Sequence, residues 1–415
     1  MLWIWDYRDL IPGETSSYYP RVFTWLDEAK LDLAWSPIYT LFLSGLHSMT
    51  GNPFWTLIIA QLSVAICATV LILALMRRLL PHYVAWIIAA WWALLPINFD
   101  TAHNVHLFSA LFPLAIFFIA ASTSKSVYGR GFVLAGLLLT AGLADYKYII
   151  LFGLWLLAIV AYDFSLYLRD KAAFSLRSYI CAYGLPLLLV ILTIGILSTR
   201  STQDYAGIKA ELQTGHSQTL SEAYKLNRIQ MGEVEPDSRS FLQRDFGRST
   251  ITPVRALSLN SHAFLEHIWW NIKLIPSAMQ LALSNYYTGG HNPDDMPAKH
   301  SFLAWIPYLY VLGFSAFALV TYFILPALRR QPIANMFPWL LMLSTALLVL
   351  GEAIIRRPGP SSMFQFSIFI MALTGLGMHG VFDLMGISRS IKTWSPLAGM
   401  LLILLVPVYY NADYI

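Results

Sequence analysis

MLWIWDYRDLIPGETSSYYPRVFTWLDEAKLDLAWSPIYTLFLSGLHSMTGN, residues 1–52, is the stretch on which the reading of this chain turns. Six acids (Asp6, Asp9, Glu14, Asp27, Glu28, Asp32) stand against three bases (Arg8, Arg21, Lys30), with Tyr18, Tyr19, Trp25, Trp35 and Tyr39 between them. Tyrosine and tryptophan favour the membrane–water boundary, where the ring is shielded and the polar tip stays wet. The stretch therefore reads as two short interfacial helices, at roughly residues 16–31 and 36–49. Pro20 opens the first, and Pro37, preceded by Ser36 as N-cap, opens the second. Met1–Trp5 reads either as the end of a preceding apolar helix or as part of the interfacial segment.

Beyond residue 52 the composition changes character. The whole chain is 57% hydrophobic and 12% charged, with a mean hydropathy of +0.58. Soluble domains carry about 25% charged residues, so these totals point to an all-α integral membrane protein. Apolar runs of near-spanning length lie at 53–76, 82–98, 106–122, 148–163, 179–198, 302–325, 335–354, 363–384 and 395–410, with a shorter one at 131–144, about ten spans in all. One alternating set of loops holds eleven bases: Arg77, Arg78, Lys125, Arg130, Arg169, Lys171, Arg177, Arg329, Arg330, Arg389 and Lys392. The opposite short loops hold three, Lys147, Arg356 and Arg357, which places residues 1–52 and the long segment 199–301 outside the cytoplasm. Four regions follow: an acidic loop over 1–52, a membrane module over 53–198, an extracytoplasmic lobe over 199–301 and a second membrane module over 302–415.

The lobe segment is balanced, with ten acids and ten bases, and ends in the amphipathic run 261–283, expected to lie as a helix on the outer surface. Cys67 and Cys181 both fall in apolar spans, where they serve no extracytoplasmic disulfide. The net charge of +4 reflects membrane orientation, so no nucleic-acid partner is implied.

Four groups of residues carry possible chemistry, all on the outer side. In the first, Asp6, Asp9 and Glu14, a carboxylate can serve as general base toward a hydroxyl; the plain alternative is a solvated charged surface. In the second, FDTAHNVHLF (99–108), Asp100, His103 and His106 crowd one turn, suited to a phosphate or a metal, or simply to capping helix ends. In the third, ADYKY (144–148), Asp145 and Lys147 form a charged pair at the end of a short span. In the fourth, IIRRPGPSS (354–362), Arg356 and Arg357 stand where the orientation rule disfavours bases. An anionic ligand explains them, since guanidinium forks bind phosphate at two points; snorkelling to lipid head groups is the alternative. Glu352, one turn earlier, is placed to partner one of them.

At these residues the chain resembles the GT-C membrane glycosyltransferases, a superfamily that includes protein mannosyltransferases and the bacterial aminoarabinose transferases. The resemblance lies in Glu14-Thr15-Ser16-Ser17-Tyr18, in WSPIYTLFLSGLH (35–47), in NVHLF (104–108) and in RRP (356–358), over a matching order of loops and spans. It implies a GT-C-like fold with two interfacial helices before the first span, in a bacterial cytoplasmic membrane, multi-pass, with an extracytoplasmic active face. It implies transfer of a sugar from a polyprenyl-phosphate-linked donor to an envelope acceptor, lipid or glycan, with inversion. Asp6, Asp9 or Glu14 would be the base; Arg356, Arg357, Lys147 and His106 would hold the donor phosphate; and Tyr18, Asp100, His103 and Asp145 would support them. No metal ligands are assigned, and a divalent cation is the one cofactor left open. Gly13 departs from the pattern, standing where the family carries its essential aspartate. A transporter, or a lipid-binding scaffold without chemistry, is the competing class; no internal repeat between the halves favours it.

Overall fold

The structure, a computed structural model, describes residues 18–33, 36–95, 98, 104–123, 126–169, 176–201, 220–233, 240–284, 302–325, 333, 335–359 and 363–384. The span expected at 395–410 lies outside them. The regular elements among the described residues are all helices, with one isolated bridge between Leu31 and Ser201.

Two short helices come first, α1 (Tyr19–Glu28) and α2 (Pro37–Thr50), close to the expected positions. Each starts at a proline, whose fixed φ suits the first turn. Ser36 does stand at the cap of α2, but its hydroxyl makes no capping bond; it donates to the Leu143 carbonyl at 3.2 Å, 107 residues away. The contact to a buried neighbour wins over the local cap because Ser36 is itself buried, at 7% exposure.

Next comes α3 (Pro53–Leu79), with Asn52 as its N-cap, accepting from the Phe54 N–H at 2.9 Å, and Arg77 and Arg78 in the last turn, where they suit the helix dipole. Ala60, Val64, Ala68, Ile72 and Met76 repeat every four residues along one buried stripe, so small side chains let neighbouring helices approach closely. The run 82–98 yields only α4 (His82–Ala93), 12 residues or about 18 Å, shorter than the ~30 Å hydrocarbon layer. Pro96 follows in the sequence, and the Trp92 carbonyl accepts from both the Leu95 N–H at 3.0 Å and the Asn98 side-chain amide, closing the helix end.

The first module is completed by α5 (Asn104–Thr123), α6 (Val127–Leu143) and α7 (Tyr148–Arg169), then α8 (Leu176–Tyr179), a widened π-type turn (Ile180–Gly184) and α9 (Leu185–Ser198). Arg130, counted above with the loop bases, lies inside α6 at 4% exposure and pairs with Asp163 of α7 at 2.5 Å. Tyr183 of the π-type turn donates to the same carboxylate at 2.5 Å. A charge in that position is tolerable because it is paired and hydrogen-bonded.

The second module is α14 (Phe302–Ala318), extended by a π-type turn (Leu319–Ile324), with α15 (Phe337–Arg356) and the central, most deeply buried α16 (Phe364–Leu384). Gly377 of α16 lies against the Phe314 backbone so closely that a Cβ there would overlap the Phe314 carbonyl oxygen. Six described helices are long and apolar enough to cross a membrane: 53–79, 104–123, 148–168, 177–198, 337–356 and 364–384. The chain is thus an all-α polytopic membrane protein.

Between the modules lie α10 (220–230), α11 (Phe241–Phe246), α12 (Pro253–Leu259) and α13 (Ser261–Ser284). Tyr224, Phe241, Phe246, Ala256 and Phe264 give this lobe a small core of its own. The lobe does not simply carry α13 on its surface, as the amphipathic pattern predicts. Leu274, Ala278, Met279 and Ala282 sink into the main core, and the Leu283 carbonyl accepts from Trp91 Nε1 at 2.8 Å. His267 and Asn271, polar residues of this run, are 1% and 0% exposed. Their polar atoms are consumed by partners, so the helix turns them inward.

Candidate functional site

The site is built where α6, α7, α5 and α15 end together. Helix α6 stops at Leu143, and Asp145 closes the turn by accepting from the Lys147 N–H at 3.2 Å. That turn points Lys147 at two carboxylates, Asp145 at 2.8 Å and Glu352 of α15 at 2.8 Å. The other oxygen of Glu352 holds Arg356 at 2.8 Å, one turn on. Arg356 also donates to the Tyr146 hydroxyl at 3.4 Å. Burial alone would lower the Lys147 ammonium's pKa, but Asp145 and Glu352 outweigh it and hold it well above the ordinary lysine value. His106, in the first turn of α5, lies within electrostatic reach of Glu352.

The arginines diverge because of the residue after them. Proline disfavours helical geometry in its predecessor, so Pro358 ends α15 and Arg357 adopts extended backbone. Arg356 stays on the helix over Glu352, whereas Arg357 turns toward α13, within electrostatic reach of His267.

A second set of contacts brings the amino-terminal region to the same end. Tyr18 is buried edge-on against Tyr39, 4.9 Å between ring centres, and its hydroxyl accepts from the Ser36 N–H at 3.3 Å. Tyr39 donates to Asn104 Oδ1 at 3.0 Å; the Asn104 amide donates to Gln61 Oε1, and Gln61 Nε2 to the Asn98 carbonyl at 2.6 Å. This buried chain of amides fixes the start of α5 against α2 and α3. Ser36 joins it to Leu143, four residues before Lys147, and the Leu31 N–H bonds the Arg200 carbonyl at 2.7 Å, so the lobe begins at the same end.

Of the residues named from the sequence, Lys147, Asp145, Glu352, Arg356 and His106 thus come together, with Arg357 beside them and Tyr18 at the same end of the bundle. Asp6, Asp9, Glu14, Asp100 and His103 lie outside the described residues. Among the described residues no group of three or more His, Cys, Asp or Glu is placed to hold a metal ion. Sequence reasoning missed Tyr146, which only the fold brings to Arg356, and Asn227, whose role depends on an α13 face 40 residues away. Tyr146 lies within the ADYKY motif but carries no charge to mark it, and no local pattern marks Asn227.

No family model and no curated protein matches the chain. Two solved structures are similar to it. The archaeal oligosaccharyltransferase AglB from Archaeoglobus fulgidus, in complex with an inhibitory peptide and a dolichol-phosphate, is 14% identical with a TM-score of 0.42, over 96% of this chain and 51% of that one. ArnT from Cupriavidus metallidurans in the apo state is 13% identical with a TM-score of 0.31, over 89% of this chain and 73% of that one. The chain spans about half the length of AglB. Overlap this low assigns neither family nor activity, and the residues themselves carry the functional reading.

Proposed function

We propose that the chain is a GT-C-type glycosyltransferase that moves a sugar from a polyprenyl-phosphate-linked donor to an envelope hydroxyl at the extracytoplasmic face of a bacterial cytoplasmic membrane. The observation that carries this reading is the convergence of Lys147, Glu352 and Arg356, with Arg357 next along the chain, at the end of the bundle where Tyr18 and Ser36 are anchored. Lys147 and Arg356 meet Asp145 and Glu352 there, with His106 within electrostatic reach and Arg357 the next residue along the chain. Guanidinium groups at a membrane-facing helix end suit a phosphate monoanion.

In the proposed reaction a carboxylate takes the proton of the acceptor hydroxyl, whose oxygen attacks the anomeric carbon from the face opposite the phosphate. The anomeric C–O bond breaks with its electron pair passing to the phosphate oxygen, and the configuration inverts. Arg356 and Arg357 stabilise that developing charge. Lys147, already held by two carboxylates, serves chiefly to lock the α6–α7 turn onto α15 and so to aim Arg356. Asp6, Asp9 and Glu14 are the candidates for that base.

The test is binding and turnover of a C55 polyprenyl-phosphate hexose by the purified protein in lipid nanodiscs. Arg356→Ala with Arg357→Ala should abolish donor binding; unchanged affinity in that double variant overturns the reading. One of Asp6→Asn, Asp9→Asn and Glu14→Gln should remove turnover and keep donor binding. Full activity in all three would remove the carboxylate base from the mechanism.

A further inference from the structure

A polar cluster sits between the lobe and the bundle, away from the lysine–carboxylate network. Asn227, His267 and Asn271 are each at most 1% exposed. Asn227 Nδ2 lies 2.9 Å from His267 Nδ1 and donates to Asn271 Oδ1 at 2.7 Å. The Ile355 carbonyl, 3.0 Å from His267 Nε2, can only accept, which assigns the ring proton to Nε2 and leaves Nδ1 to accept from Asn227. Asn271 Nδ2 donates to the Ile354 carbonyl at 2.8 Å and also lies 3.2 Å from His267 Nε2. A helix leaves its last four carbonyls without partners inside the helix, and here α13 supplies side-chain donors to two of them, one and two residues before Arg356.

We infer that Asn227, His267 and Asn271 are positioning residues for the Arg356–Arg357 pair, fixing through the Ile354 and Ile355 carbonyls the point where α15 stops and Arg357 swings away. This rests on the anion-binding reading given above. One helical step rotates a side chain by about 100°, so fraying the last turn would take Arg356 off Glu352 and Tyr146 and change the spacing of the two guanidiniums. The cluster is committed to this orientation even at a cost. Asn227 Oδ1 is buried with no partner among the described residues, because turning the amide over to satisfy it would set oxygen against Asn271 Oδ1. The charged groups around His267 are Arg228 of the 220–230 helix and Arg357. Arg228 is in turn engaged by Glu233 and Glu266, and the Tyr224 ring centre lies 5.4 Å from the imidazole. Burial and those two cations keep the imidazole neutral, the form the hydrogen bonds require.

The experiment measures geranyl phosphate binding to the full chain in nanodiscs, with thermal unfolding of each variant alongside. His267→Leu removes the Ile355 donor and should weaken binding on the order of fivefold to tenfold, the equivalent of one lost buried hydrogen bond. His267→Gln, able to donate to the same carbonyl, should stay within about threefold of the wild type. Asn271→Leu, which removes the Ile354 bond, should weaken binding to a similar extent and replaces His267→Leu if that variant does not fold. Wild-type affinity in a leucine variant that folds, while Arg356→Gln with Arg357→Gln abolishes binding, overturns this inference alone. Wild-type affinity in the double arginine variant overturns the anion site itself. Between about pH 5.5 and 8 the wild type and His267→Gln should share one binding profile, set by the phosphate's own ionisation near pH 6. An acid-side gain present only with histidine would make His267 an anion ligand and also overturn the positioning role.

Discussion

Lys147 and Glu352 are 205 residues apart in the chain and 2.8 Å apart in the fold, which makes their coupling a sharp test of the site. At that distance Coulomb's law gives a gross attraction of about 6 kcal/mol at an effective dielectric of 20, most of which desolvation takes back. The two side chains are 20% and 26% exposed, between the surface case, worth about 0–1 kcal/mol, and the fully buried case, where losing one partner costs about 3–5 kcal/mol. Each also keeps a second partner, Asp145 for Lys147 and Arg356 for Glu352. We therefore expect a coupling of about 1–2 kcal/mol in a double-mutant cycle of Lys147→Met and Glu352→Gln. Lys147→Met should be the worse single change, because it leaves Asp145 and Glu352 facing each other with only Arg356 between. The assay is thermal unfolding in detergent of the wild type, both single variants and the double variant. Additive effects to within about 0.3 kcal/mol would refute the reasoning, since independent sites behave that way.

Two further outcomes follow from named contacts. His267 is lowered from 6.5 to about 4, first by burial and then by Arg228 and Arg357, against the opposing bond to Ile355. An unfolded chain therefore takes up a proton that the fold refuses: this contribution is fully present above pH 6.5 and is lost as pH falls toward 4, by up to about 3 kcal/mol. His267→Gln should flatten that part of a melting-temperature profile, and an unchanged acid limb would contradict the shift. Gly377→Ala should destabilise by about 1–3 kcal/mol or more, because the new Cβ meets the Phe314 carbonyl, a backbone atom that cannot rotate away. Gly313→Ala, with open space around its Cβ position, is the control and should melt as the wild type.

The sequence by itself determined the material of this protein. Charge scarcity and the length of the apolar runs made it a helical membrane chain, because a backbone in hydrocarbon must satisfy its own hydrogen bonds. It also marked Asp145, Lys147, Glu352 and the arginine pair, since ionisable groups beside apolar spans are costly enough to stand out. Period and hydropathy record which residues avoid water, but not which polar partner each will find. That is why α13 read as a surface helix when His267 and Asn271 in fact turn inward to cap α15, and why Arg130 read as a loop base when Asp163 and Tyr183 hold it inside. Only the tertiary structure decided that Glu352 joins Asp145 on Lys147, and that Ser36 reaches Leu143 rather than its own helix. These are contacts between residues about 100 to 200 positions apart, set by how helices pack, and no local pattern encodes them.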